Sequence, residues 1–116
     1  MGVINRGVVI VRPRQPFLDW LRDLPNPAQV VTLDDLRDDP NAYLIAEWET
    51  PSQLQRRLRE CCGEIFEEEL WSWHTDDQTF PKDRTWSVFR TWFEVEALSM
   101  VSDMVGEPIH DDEADA

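Results

Sequence analysis

The sequence predicts an α+β domain: a small sheet of about three strands with three or four helices packed on it. Three observations carry that expectation. A β-branched run, Val8-Val9-Ile10-Val11, is closed by Pro13. A helix-start signature, Thr50-Pro51-Ser52-Gln53, precedes some twenty residues with apolar side chains at helical spacing. A hydrophobic content of 41% with six tryptophans in 116 residues lies above the regime in which charged chains stay unfolded. The length suits one domain over residues 1–106, followed by a flexible acidic tail over 107–116.

The first strand is expected at about residues 7–12, and a run apolar at every position belongs to a strand central in its sheet or covered on both faces. Pro16 suits a first helical position. Phe17, Leu18, Trp20, Leu21 and Leu24 then recur at helical spacing until Pro25 and Pro27, which predicts a helix over 16–24. Thr32, followed by Asp34 and Asp35, reads as the capped start of a short second helix, since acids in a first turn offset the exposed amide groups. Tyr43 to Glu49, after the Asp39-Pro40-Asn41 turn, reads as a second strand. Helical chain separates it from the first, so the two are expected to run parallel through a right-handed crossover.

Thr50 to Gln53 reads as a capping box with Pro at the first helical position: the Thr oxygen accepts from the amide three residues on, and Gln reaches back. Leu54, Leu58, Cys61, Ile65, Phe66, Leu70 and Trp73 continue it as one stripe, predicting a helix over 51–72. Residues 74–82 have no period and read as a loop. Asp83 can cap a further helix, with Trp86, Phe89, Arg90 and Phe93 on one side and Val88 and Trp92 widening the apolar arc. From Val95 to Val105 two periods compete: Leu98, Val101 and Val105 suit a helix, whereas Val95, Ala97, Ser99 and Val101 suit the inner face of a third strand. The strand is the reading adopted. Gly106 and Pro108 close the domain, and the residues beyond offer almost no apolar area to offset the entropy of ordering.

Twenty-four acidic residues against eleven basic ones leave a formal charge of −13. The tail from Glu107 onward holds only five of those acids, so the acidity belongs to the domain itself. Such a surface repels phosphate backbones and anionic lipid, so no nucleic acid and no membrane is expected as a partner. The longest apolar run, Ala42 to Ala46, is far short of the about 20 residues a spanning helix needs. Cys61 and Cys62 are neighbours that cannot bridge within a helix, so there is no disulfide framework and a reducing cytoplasm is the expected location. Gly2 follows Met1 as in an N-myristoylation signal, but Arg6 stands where Ser or Thr is required.

Several stretches carry a resemblance. The run Val8-Val9-Ile10-Val11-Arg12-Pro13-Arg14-Gln15-Pro16-Phe17-Leu18-Asp19-Trp20-Leu21 resembles the opening of a group of short uncharacterised bacterial proteins. Glu64-Ile65-Phe66-Glu67-Glu68-Glu69-Leu70, Phe89-Arg90 with Trp92-Phe93, Val95-Glu96 and Ser99-Met100-Val101 are similar too. The resemblance spans most of residues 7–103 and leaves out the chain before Gly7 and the acidic tail. It implies a bacterial cytoplasmic setting and brings no activity, ligand or catalytic residue with it.

Two places are candidates for ligand chemistry. Arg12 and Arg14 flank Pro13 between the first strand and the first helix, where a helix N-terminus adds amide donors for an anion such as a carboxylate or phosphate. The plainer alternative is that they pair with Asp19, a glutamate of the long helix or the acidic tail. His74 lies close to Asp76 and Asp77 in a stretch flanked by aromatics, a combination that suits acid–base work or a hard metal. The plainer alternative there is a helix-ending loop with Trp73 buried and His74 exposed. Two histidines, with no His-x3-His or Cys-x2-Cys spacing, fall short of a structural zinc site, so neither metal nor cofactor is expected.

The run Glu67-Glu68-Glu69 reads as a solvated surface rather than a catalytic carboxylate pair, because consecutive helical residues point about 100° apart. Glu60, Glu64 and Glu68 recur every fourth residue, placing like charges in one row at a cost of a few tenths of a kcal/mol per pair. A row that disfavours its own helix hints at a basic partner. There is no Gly-x-Ser-x-Gly and no phosphate-cradling glycine loop, and Cys61 is expected to pack in the core. The expected function is therefore non-enzymatic: a cytoplasmic protein with an inhibitory, immunity-type or regulatory role. It would bind a basic patch on another protein through Glu60, Glu64 and Glu68 with an aromatic anchor at Trp73. The alternative, from another class, is a small anionic-ligand-binding protein or enzyme using Arg12, Arg14 and His74 with its aspartates.

Overall fold

The computed structural model describes residues 2–24 and 31–111. Along the chain run β1 (Gly2–Val3), β2 (Arg6–Pro13), α1 (Gln15–Arg22), α2 (Leu33–Asp38), β3 (Asn41–Ala46) and α3 (Pro51–Trp71). A single 3-10 turn at Asp77–Thr79 leads on to α4 (Trp86–Trp92), β4 (Phe93–Leu98) and β5 (Ser102–Asp103). The architecture is α+β, with a three-stranded sheet in the order β3-β2-β4 and a two-stranded one formed by β1 and β5.

Because β2 is the central strand, it is apolar at nearly every position, as the sequence predicts. Val9 and Val11 point into the core and are fully buried. Val8, Ile10 and Arg12 point to the other face, which stays partly open: Leu44 and Leu98, the cross-strand neighbours of Val8, are each about half exposed.

The expected parallel pairing of the first two strands is wrong. Val8 faces Leu44, Val11 faces Asn41, and β2 and β3 are antiparallel. A parallel crossover must carry the chain back along the whole of β2, about 26 Å for eight residues. Neither connecting helix can do so: α1 has eight residues and α2 six, about 12 and 9 Å of rise. The two short helices instead bring the chain back to the end where β2 stops.

β4 pairs antiparallel with the other edge of β2. It confirms the third strand, with Val95 and Ala97 packed inward, but it starts two residues earlier and ends sooner than the pattern suggests. Phe93, expected on the preceding helix, has extended backbone angles and opens the strand instead. β1 and β5 pair antiparallel beyond it as a separate ladder: Ile4 N donates to Val101 O at 2.8 Å, and Val3 pairs with Ser102. Between Val3 and Val8 lie four residues, opposite three between Leu98 and Ser102. The two ladders are thus offset by one residue and form separate sheets.

α1 begins beside its predicted proline and ends at Arg22; the predicted stop at Pro25 and Pro27 falls outside the described residues. α2 has the Thr32 cap its sequence announces, completed as a capping box that the sequence reading did not foresee. Thr32 accepts from Asp35 N, and the Asp35 carboxylate accepts from Thr32 N. At the start of α3, Thr50 accepts from Gln53 N, while the Gln53 side chain accepts from Glu49 N, one residue before the cap. At α4 the cap is Thr85, with the expected Asp83 accepting from Thr85 N.

α3 lays Leu58, Cys62, Ile65, Phe66 and Leu70 on the sheet. Phe66 meets Phe93 at 5.1 Å and Trp92 at 5.2 Å, and Phe17 meets Phe93 at 5.6 Å, so the centre of the core is aromatic. Three expectations about α3 are corrected. Cys62 is the fully buried cysteine and Cys61 only half so. Trp73 lies beyond the last helical residue, leaves the stripe and is exposed. Glu69, expected on a solvated surface, is buried. Residues 104–111 carry no helix or strand and are mostly exposed; the rest of the expected tail, 112–116, lies outside the described residues.

Candidate functional site

The buried Glu69 is placed by helical phase. It follows Cys62 and Ile65 by seven and four residues, so it points at the sheet together with them. Its residue is only 4% exposed. Two neutral donors from β3 meet it there. Asn41 Nδ2 donates to Oε2 at 2.6 Å, and the hydroxyl of Tyr43, the only tyrosine, donates to the same oxygen at 2.5 Å. Among the described residues no Lys or Arg pairs with Glu69, and Oε1 accepts no hydrogen bond.

Burial pushes the Glu69 carboxyl above the usual range, and the two donors only partly counter it. The Tyr43 phenol is pushed up as well, by burial and by the carboxylate it serves. A cavity of about 300 Å3 adjoins this group. Glu69 lines it along with Leu36, Asp35, Asp39, Asn41 and Trp73. Its lining thus joins three acids, an amide, one indole and Ser72 to the apolar Pro13, Leu36 and Pro40. The nearby Arg37 turns away, donating to Pro13 O and to Glu94. Among the described residues no metal-type group of His, Cys, Asp and Glu lies here, and a hollow lined by carboxylates can receive a cation or a hydrogen-bond donor.

The exposed side of α3 is the second feature. Glu60, Glu64 and Glu68 stand in one row, all exposed, and none forms an ion pair among the described residues. Glu67 beside them is held by Arg84 at 2.9 Å. Trp71 lies on the same side, three and seven residues after Glu68 and Glu64, with 45% of its surface exposed. Its ring is steadied edge-on by Phe80 at 5.0 Å.

The other sequence candidates are dispersed. Arg12 donates to Glu96 at 2.8 Å on the open face of the sheet, an acid of β4 and none of the partners the sequence suggested. Arg14 is exposed, and with Arg12 and Arg37 its charge helps hold the Glu94 carboxyl low, Arg37 contributing most. His74 is half-buried, its ring edge-on to Trp20 at 6.4 Å. Asp76 accepts from Gln78 N and caps the 3-10 turn, and Asp77 is exposed. Among the described residues no hydrogen bond or ion pair joins His74 to either aspartate, and no three His, Cys, Asp or Glu side chains form a metal-type group. No described helix is long and apolar enough to cross a membrane.

Compared with protein-family models, with curated proteins and with solved structures, the chain finds no match. Sequence reasoning missed Asn41, Tyr43 and Glu69 as a group. The available signal was phase: replacing Cys61 by Cys62 in the helical stripe puts Glu69 on the buried side.

Proposed function

We propose that this protein is a non-enzymatic binding module for another protein bearing a basic patch, received on the outer side of α3. The supporting observation is the row of Glu60, Glu64 and Glu68, exposed and without ion pairs among the described residues, beside the half-exposed but anchored ring of Trp71. Like charges set four apart weaken their own helix, and a cationic partner relieves that repulsion. Charge complementarity speeds and selects the encounter, and a rigid exposed indole supplies contact area at little entropic cost. Trp71 takes over the anchoring role expected of Trp73 on this side. The reading includes a bacterial cytoplasmic setting and an inhibitory, immunity-type or regulatory role.

The test is capture of the partner from a lysate of the source organism, its identification, and a binding titration with the purified pair. Affinity is expected to fall at least tenfold between about 50 and 300 mM salt. It is also expected to fall in Glu64→Lys/Glu68→Lys and in Trp71→Ala, and to persist in Arg12→Ala. Salt-independent binding that tolerates the α3 variants would overturn the reading.

A further inference from the structure

We propose that the cavity beside Glu69 is a receptor for one guanidinium group, presented as an arginine side chain of the basic partner. This rests on the protein-binding reading and names the group that the partner inserts.

The argument starts from the enclosed carboxylate. Glu69 is only 4% exposed as a residue, and a carboxylate so enclosed favours a counter-charge or further donors; the two it has are neutral and both on Oε2. Among the described residues Oε1 has no partner, and Glu69 lines a cavity of about 300 Å3, room for one long side chain. The other charged residues lining that cavity, Asp35 and Asp39, are acidic too. Trp73, exposed because it lies beyond the end of α3, gives the wall an aromatic surface.

A guanidinium fits this set better than an ammonium. It is planar, weakly hydrated, stacks on indole, and carries enough donors to meet Oε1 and the rim carboxylate of Asp39 together. Asp35 is less available, since it is committed to Thr32 at the helix cap. Glu68, the residue before Glu69 on α3, ends the acidic row that forms no ion pair among the described residues, so the row reaches the helix end where the cavity lies, on a side about 100° away.

The experiment titrates the full-length protein with N-acetyl-arginine amide and follows the indole resonance of Trp73. N-acetyl-citrulline amide serves as the neutral isostere and N-acetyl-lysine amide as the ammonium. The arginine probe is expected to shift the signal saturably. The citrulline probe should bind at least tenfold more weakly and the lysine probe several-fold more weakly. Glu69→Gln, which keeps an oxygen for Asn41 and Tyr43, should retain its melting temperature and lose at least tenfold in affinity. A pentapeptide with one arginine between lysines should bind at least tenfold tighter than the single residue.

Equal binding of the citrulline probe, wild-type affinity in Glu69→Gln, or the lack of a saturable shift would overturn the receptor. Tighter binding of lysine would overturn the guanidinium assignment. A single arginine that binds as tightly as the peptide would assign the cavity to a free small molecule and overturn the partner side chain. Partner binding that survives Glu69→Gln yet fails in Glu64→Lys/Glu68→Lys would remove the cavity's role alone. Arginine binding in a protein whose partner ignores α3 would instead remove the docking reading alone.

Discussion

The indole of Trp48 lies over Gly7, so close that a Cβ on Gly7 would meet the ring atoms Cζ3 and Cη2 at 2.1 and 2.4 Å. The chain leaving β3 thus closes over the start of the central strand. Gly7→Ala forces the indole aside and is expected to destabilise the fold by about 1–3 kcal/mol, despite the better strand propensity of alanine. Chemical denaturation measures it. In a Trp48→Ala background the same change should be neutral or mildly stabilising, and that coupling assigns the cost to the ring.

Glu69 gives stability an uncommon pH dependence. Its folded-state pKa is raised, so between the ordinary glutamate range and that raised value the native state holds a proton that the unfolded chain has lost. Stability contributed at this site therefore falls as pH rises through that window, and its penalty is fully present above it. Glu69→Gln should melt at or above the wild-type temperature at neutral pH, with an advantage that shrinks as pH falls towards the ordinary glutamate range. Paired melts across pH check the sign.

The cap of α2 behaves in the opposite sense. Hydrogen bonds from Thr32 hold the Asp35 carboxyl low, so its contribution is present above the usual aspartate range and is lost as pH falls through the lowered value. Thr32→Ala removes the hydroxyl half of the box and is expected to cost about 1 kcal/mol, read from urea denaturation. The loss should be smaller in a background that already carries Asp35→Asn.

Arg12 and Glu96 form an ion pair across two strands on the open face. Exposed pairs of this kind contribute little, so Arg12→Ala should change stability by less than about 1 kcal/mol. It should also leave partner binding intact. A melting shift caused by an anionic small molecule and abolished in Arg12→Ala would restore the anionic-ligand alternative.

Local signals in the sequence were sound where the physics is local. The capping residues of α2 and α3, the proline at the start of α1 and the β-branched core of β2 each act over a few residues, and each stands where it was expected. Direction was not legible. Whether β3 runs with β2 or against it depends on how far α1 and α2 carry the chain, which involves both lengths and the turn between them. The site was half legible. The acidic row follows from spacing alone, whereas the burial of Glu69 depends on one step of helical phase, Cys62 in place of Cys61. Its meeting with Asn41 and Tyr43 depends on where β3 docks. Trp73 was misjudged because the periodic stripe was extended past the residue at which α3 ends.

The attachment of α2 reaches further than its size suggests. Leu36 is its one fully buried residue, and Arg37 ties it to Pro13 O at the end of β2 and to Glu94 on β4. A two-turn helix anchored by so few groups belongs to the least protected part of a fold, and its amides should exchange with deuterium well before those of α3. Yet Asp35, Leu36 and Asp39 furnish one wall of the hollow beside Glu69. Amide exchange is therefore expected to be faster on the α2 side of the hollow than on its α3 side.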